Sequence, residues 1–316
     1  MRGLSFDGKL SYRTDLLEPR PDKDSALVRV SMAGICATDM EITKGYMGFK
    51  GVPGHEFCGV VEACENDGLV GRRVVGEINV GCGKCKWCRD KAQNHCPERK
   101  TLGIMGKDGA FAEFLTLPLK NLHPLPDSIT DEEAVFVEPL AAVYEILEQV
   151  KINEYKKVCV LGDGRLGLLC AQVLALTDCV LVAVGRHEDK LALLKKLGIN
   201  ARVGSNGLER DFDVVVDCAG SPEGFSEALA LVKPRGTIVV KTTAAGKGAL
   251  SLNSVVIDEI TVIGSRCGPF KPAIDALAGR KVDVRPLISA VYPLEEGVEA
   301  FKRAGESGVV KVLVRV

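Results

Sequence analysis

Residues 157–170 read KVCVLGDGRLGLLC, an apolar run followed by a glycine-rich turn and a second apolar run. The turn is a G-x-G-x-x-G pattern between a predicted strand and a predicted helix, which is the context of a dinucleotide-binding βα unit. Glycine allows the backbone to approach a pyrophosphate at the positive end of the helix. The predicted cofactor-binding residues of this turn are Gly162, Gly164, Arg165, Leu166 and Gly167. A tight turn without a ligand is the alternative.

The segments around this turn extend the pattern in both directions. Strand-like and helix-like stretches alternate from about residue 139 to residue 265, as in a parallel, doubly wound sheet. An apolar repeat of helical spacing predicts one helix over 131–150, just before this region. The first 120 residues instead show short alternating runs separated by Gly, Pro, Asn and Asp, which predicts a β-rich domain. The fold class is therefore α/β with two domains.

Composition limits the classes of function. The chain has 316 residues, enough for two domains, with 46% hydrophobic and 26% charged residues, which are ordinary globular values. Because 41 Lys and Arg balance 42 Asp and Glu, nucleic acid and anionic membranes are poor candidates for a partner. The polar N-terminus and the absence of a long apolar run predict a cytoplasmic protein with no membrane span.

Four of the twelve cysteines are clustered in CGKCKWCRDKAQNHC, residues 82–96. Their C-x2-C-x2-C-x7-C spacing is typical of a closed, tetrahedral zinc site, which has a structural role because no coordination position is open. Basic residues in the same stretch suit the negative charge of zinc with four thiolates. The predicted ligands are Cys82, Cys85, Cys88 and Cys96. A loop of free cysteines is the alternative.

A second candidate metal site comes from GICATD (34–39) and GHE (54–56). Cys36, His55 and Glu56 supply a thiolate, an imidazole and a carboxylate, a mixed set that suits an open, catalytic zinc. We expect Asp39 to accept the second ring proton of His55 and so to fix its tautomer. Core or turn positions are the alternative for Cys36 and His55.

The end of the strand CVLVAVG (179–185) bears on the choice of nicotinamide cofactor. An Asp or Glu at this place normally binds the ribose 2′-hydroxyl of NAD, whereas an Arg suits the 2′-phosphate of NADP. Here Gly185 stands in the carboxylate position, and Arg186 and His187 follow it. The three residues are predicted to line the adenosine ribose, with NADP favoured over NAD. An exposed Arg with NAD bound is the alternative.

Together these motifs resemble the zinc-dependent medium-chain dehydrogenase/reductase family, which includes alcohol, polyol and glucose dehydrogenases. The matching motifs run in the family's order along nearly the whole chain, ending with E-P-L at Glu138–Leu140 and the glycine-rich turn. The resemblance implies a GroES-like β-rich catalytic domain over 1–138, with the structural zinc lobe at 81–97, completed by 266–316. The Rossmann cofactor-binding domain would span 139–265.

The resemblance also implies roles for individual residues. Cys36 and His55 would bind the catalytic zinc, while Glu56 and Glu138 would be carboxylates that exchange at the metal. Thr38 matches the hydroxyl that accepts the substrate proton. Many relatives continue the proton relay with a His three residues later, where this chain has Glu41, so that either this carboxylate relays the proton or water takes over. Because the glucose-dehydrogenase-like branch also has Glu there, we favour a polyol or sugar-like substrate.

The expected activity is the reversible oxidation of a secondary alcohol, polyol or sugar-like hydroxyl to a carbonyl, with hydride transfer to NADP or NAD. Two zinc ions per chain are expected, one catalytic and one structural. A zinc-independent quinone or enoyl reductase of the same fold is one alternative. A non-catalytic nucleotide- and zinc-binding redox sensor is another. Relatives are dimers or tetramers, so the resemblance implies a homo-oligomer.

Overall fold

The computed structural model describes residues 1–66, 68–241 and 252–316. In chain order, its strands are β1 (Gly3–Phe6), β2 (Leu10–Arg13), β3 (Ser25–Gly34), β4 (Glu56–Ala63), β5 (Arg73–Gly76), β6 (Asn79–Val80), β7 (Lys100–Leu102), β8 (Gly106–Lys107), β9 (Phe114–Pro118), β10 (Leu122–Pro124), β11 (Lys157–Leu161), β12 (Val180–Gly185), β13 (Ala201–Val203), β14 (Phe212–Asp217), β15 (Val232–Val240), β16 (Thr261–Gly264), β17 (Ile288–Pro293) and β18 (Lys311–Arg315).

The α-helices of the described residues follow in the same order. They are α1 (Ala37–Ile42), α2 (Lys86–Arg89), α3 (Asp131–Ala134), α4 (Val137–Gln149), α5 (Arg165–Ala175), α6 (Glu188–Lys196), α7 (Pro222–Leu231), α8 (Asn253–Ile257), α9 (Phe270–Ala278) and α10 (Gly297–Ala304). Within the described ranges, no helix combines the length and the apolar character that crossing a bilayer requires.

The chain divides into two units. The first contains residues Met1–Glu138 and Phe270–Val316, and the second contains Pro139–Pro269. The second unit is thus an insertion within the first. Each unit has its own sheet, and the two candidate metal clusters lie in the first unit whereas the glycine-rich turn lies in the second.

The second unit is built on a six-stranded sheet with the order β13-β12-β11-β14-β15-β16. Every pairing in it is parallel, and the helices α5, α6 and α7 connect successive strands. This is the strand order of a doubly wound dinucleotide-binding fold. Strand β11 is apolar on both faces after its first residue, as expected for a central parallel strand covered on both sides.

The first unit is built on a seven-stranded sheet with the order β10-β5-β4-β3-β18-β17, in which β9 also pairs with β3. Its pairings are antiparallel except for β17 with β18. The C-terminal strand β18 therefore lies beside β3, although the two are far apart in sequence. This register places the end of the chain next to the segment that carries Cys36.

The region predicted as one helix over 131–150 forms two helices, α3 and α4, separated by Val135 and Phe136. Thr130 caps α3. Its hydroxyl accepts a hydrogen bond from the backbone N–H of Glu133, and the Glu133 carboxylate accepts one from the backbone N–H of Thr130. Pro139 has no N–H and cannot continue a helix from α3, but it is tolerated in the first turn of a new helix. The break follows from that constraint.

Candidate functional site

The pairing of β3 with β4 brings the first candidate ligands together. Gly34 at the end of β3 lies opposite Glu56 at the start of β4, so that Cys36 and His55 extend from the same end of the pair. One donor atom each of Cys36, His55 and Glu56 lies within 4.8 Å of the others. His55 and Glu56 are buried, each with 3% of its surface exposed. The two sequence segments thus form one cluster.

Asp39 connects two members of this cluster. Its Oδ2 accepts a hydrogen bond from the backbone N–H of Cys36 at 2.8 Å, and its Oδ1 lies 3.2 Å from Nδ1 of His55. Asp39 is fully buried. Because Nδ1 of His55 faces this carboxylate, Nε2 is the ring nitrogen left for a metal ion. Burial by itself lowers the pKa of His55, but the Asp39 carboxylate and the Cys36 sulfur outweigh burial and raise it.

Lys311 is the member of the site that the sequence reasoning missed. Its Nζ contacts Oε2 of Glu56, and only 1% of the residue is exposed. It also lies 5.7 Å from the centre of the Phe136 ring. Burial lowers the pKa of Lys311 to about 8, against the opposing effects of Cys36 and Asp39. A lysine inside the apolar run VVKVLV (309–314) was the available signal, because a buried lysine needs a partner.

The donor set of this cluster fits a divalent cation. Cys36, Glu56 and Asp39 are all negative when ionised, whereas Lys311 supplies one positive charge at the same place. With His55 neutral, as a metal ligand has to be, the deficit of two charges is the charge of one zinc ion. One sulfur, one nitrogen and one oxygen ligand, with a further position open, is also the pattern of a catalytic rather than a structural zinc site.

The other residues predicted for this site lie around the cluster. Thr38 is half-buried in the first turn of α1, two residues after Cys36. Glu41 lies one turn further along, where its carboxylate pairs with Lys44 at 2.8 Å on the surface. Glu138 is half-buried in the first turn of α4 and is outside the cluster formed by Cys36, His55 and Glu56. Its role as a ligand stays a prediction.

The four cysteines of the lobe converge on one point. The sulfurs of Cys82, Cys85, Cys88 and Cys96 all lie within 4.8 Å of one another. A tetrahedron with Zn–S bonds of about 2.3 Å would place them roughly 3.8 Å apart. Backbone N–H groups of Lys84 and Cys85 lower the pKa of Cys82 to about 7. The backbone N–H of Cys88 favours the thiolate of Cys85, but desolvation and the neighbouring thiols outweigh it and raise its pKa to about 11. Four thiolates this close together repel one another, and a bound cation would compensate their negative charge.

The glycine-rich turn has the geometry that a pyrophosphate requires. Gly162 has a φ of +114°, and a Cβ at Gly167 would lie 1.9 Å from the carbonyl oxygen of Gly162. Gly164 caps the N-terminus of α5, and a Cβ there would meet no atom within 4 Å. The first and third glycines therefore pack the turn against the sheet and helix. The second leaves open space at the helix N-terminus, which is the place predicted for the pyrophosphate.

The residues predicted for the adenosine ribose lie at the carboxyl end of β12. Gly185 is buried as the last residue of this strand, while Arg186 and His187 are exposed. Asp163, inside the glycine-rich turn, reaches them and accepts hydrogen bonds from both of their backbone N–H groups at 2.6 Å. The sequence analysis did not identify Asp163, since its position within G-x-G-x-x-G admits any residue.

Comparisons with known proteins bear on the class of this protein. Residues 22–127 match the model of the alcohol dehydrogenase GroES-like domain, and residues 166–279 match that of the zinc-binding dehydrogenases. The chain is 31% identical to D-arabitol-phosphate dehydrogenase of Enterococcus avium, over 95% of this chain and 92% of that protein. It is 29% identical to sorbitol dehydrogenase of Halalkalibacterium halodurans, over 94% and 93% of the two chains.

Solved structures that match over the whole chain include two with a bound nicotinamide cofactor. One is a zinc-binding dehydrogenase from Sinorhizobium meliloti 1021 bound to NADP, with a TM-score of 0.91, 28% identity and 99% of that chain covered. The other is an alcohol dehydrogenase from Escherichia coli CFT073 in complex with NADH, with a TM-score of 0.91, 26% identity and 99% of that chain covered. The predicted fold, a GroES-like domain combined with a Rossmann domain, is confirmed.

The fold and the site define a zinc-type oxidoreductase that acts on hydroxyl groups. The chain belongs to the zinc-dependent medium-chain dehydrogenase family, as the sequence motifs predicted. It is an NAD(P)-dependent alcohol dehydrogenase with a small-molecule alcohol as substrate.

The buried contact between Lys311 and Glu56 generates a prediction about stability. Lys311→Met should lower the free energy of unfolding by about 3 kcal/mol, because it leaves the Glu56 carboxylate buried beside other negative groups. Urea denaturation of the purified protein measures this change. Lys302→Met is the matched control, since Lys302 pairs with Glu299 on the surface, and it should cost less than about 1 kcal/mol.

A double variant distinguishes loss of charge balance from loss of packing. Adding Glu56→Gln to Lys311→Met removes the uncompensated charge and should restore part of the lost stability. Equal stabilities of the single and double variants, or a Lys311→Met protein as stable as the Lys302→Met control, would contradict the proposed charge balance.

Proposed function

We propose that this chain oxidises a secondary hydroxyl of a polyol or sugar-like substrate and uses NADP as the preferred hydride acceptor. The observation that carries the proposal is the buried cluster of Cys36, His55 and Glu56, held by Asp39 and balanced by Lys311. These three ligands would hold a catalytic zinc, with Glu138 available as an exchanging carboxylate. The cysteine lobe would hold a second, structural zinc.

The roles of the protein groups follow from the proposed site. When bound, zinc would polarise the oxygen of the substrate hydroxyl and lower its pKa. The Asp39 carboxylate faces Nδ1 of His55 at 3.2 Å, which leaves Nε2 as the ring nitrogen for the metal. The Oγ1 of Thr38 accepts the substrate proton while its own hydroxyl proton passes either to water or to the Glu41 carboxylate, which lies on the surface one turn later.

The cofactor preference is supported by the end of β12. No carboxylate stands at Gly185, and the exposed guanidinium of Arg186 suits a 2′-phosphate better than a 2′-hydroxyl. The structure of one relative contains NADP and that of another contains NADH. The family therefore accommodates both, and the proposal for this chain is based on its own residues.

The substrate class is supported by two relatives named for polyols, the sorbitol and D-arabitol-phosphate dehydrogenases. Glu41, in the position that glucose-dehydrogenase-like members also fill with Glu, agrees with them. A screen of polyols, sugars and simple alcohols with each cofactor tests both parts of the proposal. We expect kcat/KM to be highest for a polyol or sugar with NADP. If kcat/KM is highest for a simple aliphatic alcohol, the proposed substrate class is wrong. If it is highest with NAD, the proposed cofactor preference is wrong.

Removal of one ligand tests the catalytic metal. Cys36→Ser should abolish turnover and reduce the zinc content from about two ions per chain to about one, because the soft thiolate ligand is lost. Binding of NADPH, followed by nicotinamide fluorescence, should be unchanged, since the glycine-rich turn is intact. Metal analysis and steady-state kinetics measure the first two effects.

Two further variants make this experiment selective. Cys64→Ser is the matched control, because the Cys64 thiol contacts the carbonyl of Asn66, outside both clusters. It should keep both the metal and the activity. Cys85→Ser should lose the other zinc. A Cys36→Ser enzyme with full activity would contradict the zinc mechanism and favour the zinc-independent reductase.

We infer that the protein is a homodimer joined at the β16 edge of the Rossmann sheet. Among the residues that the structure describes, β16 pairs with β15 alone, which leaves backbone groups on its other edge available for pairing with a second chain. The side chains near it include exposed Val262, Val256 and Ile257, of which Ile257 is 78% exposed. Exposed apolar side chains beside an open strand edge are typical of an interface, and the same patch on two copies gives a closed, two-fold dimer.

A charge at this edge should separate the two copies. Val262→Lys should shift the protein from dimer to monomer in sedimentation velocity, because the lysines of both copies would be buried at the interface. Val203→Lys on β13, the opposite edge of the same sheet, is the control and should leave the dimer intact. A monomeric wild-type protein, or equal effects of the two variants, would contradict the assignment.

A further inference from the structure

Asp163 is a buried carboxylate inside the glycine-rich turn, with 7% of its surface exposed. Its Oδ2 accepts hydrogen bonds from the backbone N–H groups of Arg186 and His187, each at 2.6 Å. Nδ1 of His187 lies 3.0 Å from Oδ2 and 3.1 Å from Oδ1 of the same carboxylate. One side chain of the phosphate-binding turn therefore holds both residues that follow β12.

The same carboxylate occupies the space beside Gly185. A Cβ at Gly185 would lie 2.5 Å from both Cβ and Oδ2 of Asp163, closer than carbon atoms approach in proteins. A side chain at position 185 therefore cannot be accommodated while Asp163 is in place. This is the position at which NAD-binding relatives of the fold carry their ribose-binding carboxylate.

The hydrogen bonds determine what the carboxylate can do. Burial by itself raises the pKa of Asp163, but hydrogen bonds from His187 and the Arg186 backbone outweigh burial and lower it, so that the group is ionised. Its oxygens face those donors and the residue is buried, which leaves little acceptor capacity for a ribose hydroxyl. The exposed Arg186 guanidinium and His187 ring are the polar groups presented to solvent at the strand end.

Arg186 interacts electrostatically with the Glu223 carboxylate. The neighbouring Ser221 side chain is the main cause that lowers the pKa of Glu223, and the charge of Arg186 contributes to the same effect. Glu223 lies at the first turn of α7 and is exposed. Arg186 is thus not locked in a buried pair. A phosphate on the adenosine ribose would compete with an exposed carboxylate, and such exposed pairs are weak.

We propose that Asp163 is a positioning residue that sets the cofactor specificity of this dehydrogenase. It orients Arg186 and His187 toward a 2′-phosphate, and it excludes a carboxylate from position 185. This inference rests on the proposed preference for NADP. It assigns the specificity to a residue inside the glycine-rich turn and not only to the residues at the end of β12.

Two single variants test the positioning role. Asp163→Asn is nearly isosteric but places an amide among N–H donors, and Asp163→Ala removes all the acceptors. Each should raise the Kd of NADPH about tenfold, because charge-assisted hydrogen bonds that orient Arg186 and His187 are lost. The Kd of NADH should change less than about twofold. Nicotinamide fluorescence titration measures both constants without turnover.

A control and a nicotinamide-free probe accompany these titrations. Asp189→Asn removes an exposed carboxylate from the first turn of α6, near the same strand end, and should leave both constants unchanged. Titration with 2′,5′-ADP should reproduce the tenfold effect of the Asp163 variants, since it carries the 2′-phosphate without the nicotinamide. Thermal melting checks that each variant is folded.

A double variant tests the exclusion at Gly185. Gly185→Asp alone should weaken binding of both cofactors, because its side chain collides with Asp163 and adds a second negative charge there. Combining it with Asp163→Ala opens that space. The double variant should bind NADH about tenfold more tightly than Gly185→Asp, and more tightly than it binds NADPH.

The possible results separate the inference from the proposed function. A wild-type protein that binds NADH as tightly as NADPH would overturn the NADP preference, and the inference with it. A wild-type preference for NADPH that survives both Asp163 variants would overturn the inference alone. Equal losses for NADH and NADPH in folded Asp163 variants would also overturn it, since they indicate a structural role. Tight NADH binding by the Gly185→Asp single variant would also overturn the inference.

Discussion

The catalytic half of this protein depends on one buried carboxylate. Asp39 accepts a hydrogen bond from the backbone of Cys36 and faces Nδ1 of His55, so that it orients two candidate metal ligands at once. A fully buried carboxylate is costly unless its charge is compensated. The compensation here comes from the groups that it orients, together with Lys311 and the cation that the cluster suits. The orientation of the ligands and the charge balance of the site therefore both depend on Asp39.

Lys311 extends that constraint to the end of the chain. It reaches Glu56 because β18 pairs with β3, and Gly34 on β3 provides the room, since a Cβ there would lie 2.6 Å from Cε of Lys311. The sheet register thus determines the electrostatics of the site. The return of the chain to the first unit after the Rossmann insertion has a chemical consequence as well as a topological one.

The cofactor half is controlled by steric limits on the backbone. At Gly162 and Gly167 a side chain would collide with neighbouring backbone, and at Gly164 open space faces the helix N-terminus. A side chain at Gly185 would also collide with a neighbour, which there is the Asp163 side chain. The glycine-rich turn and the end of β12, which are the proposed pyrophosphate and ribose sites, are therefore coupled through one carboxylate.

The sequence by itself determined the parts that depend on local spacing. The G-x-G-x-x-G turn and the four-cysteine lobe were readable, because each motif specifies its residue types at short range. Cys36 and the His55–Glu56 pair were readable as candidate ligands in two separate segments, which the pairing of β3 with β4 brings together. The helix predicted over 131–150 was wrong as a single element, since the interruption before Pro139 competes with a strong apolar periodicity. Ligation by Glu138 stays a prediction.

Only the tertiary structure decided which distant residues complete each site. Lys311 lies at Glu56 because of strand order, and Asp163 holds Arg186 and His187 because parallel strands end at the same edge of a sheet. Lys311 belongs to no motif and Asp163 stands at a variable position of one, so that each is an ordinary charged side chain in the linear sequence. Their partners are set by register and packing, which are properties of the whole sheet rather than of any short segment.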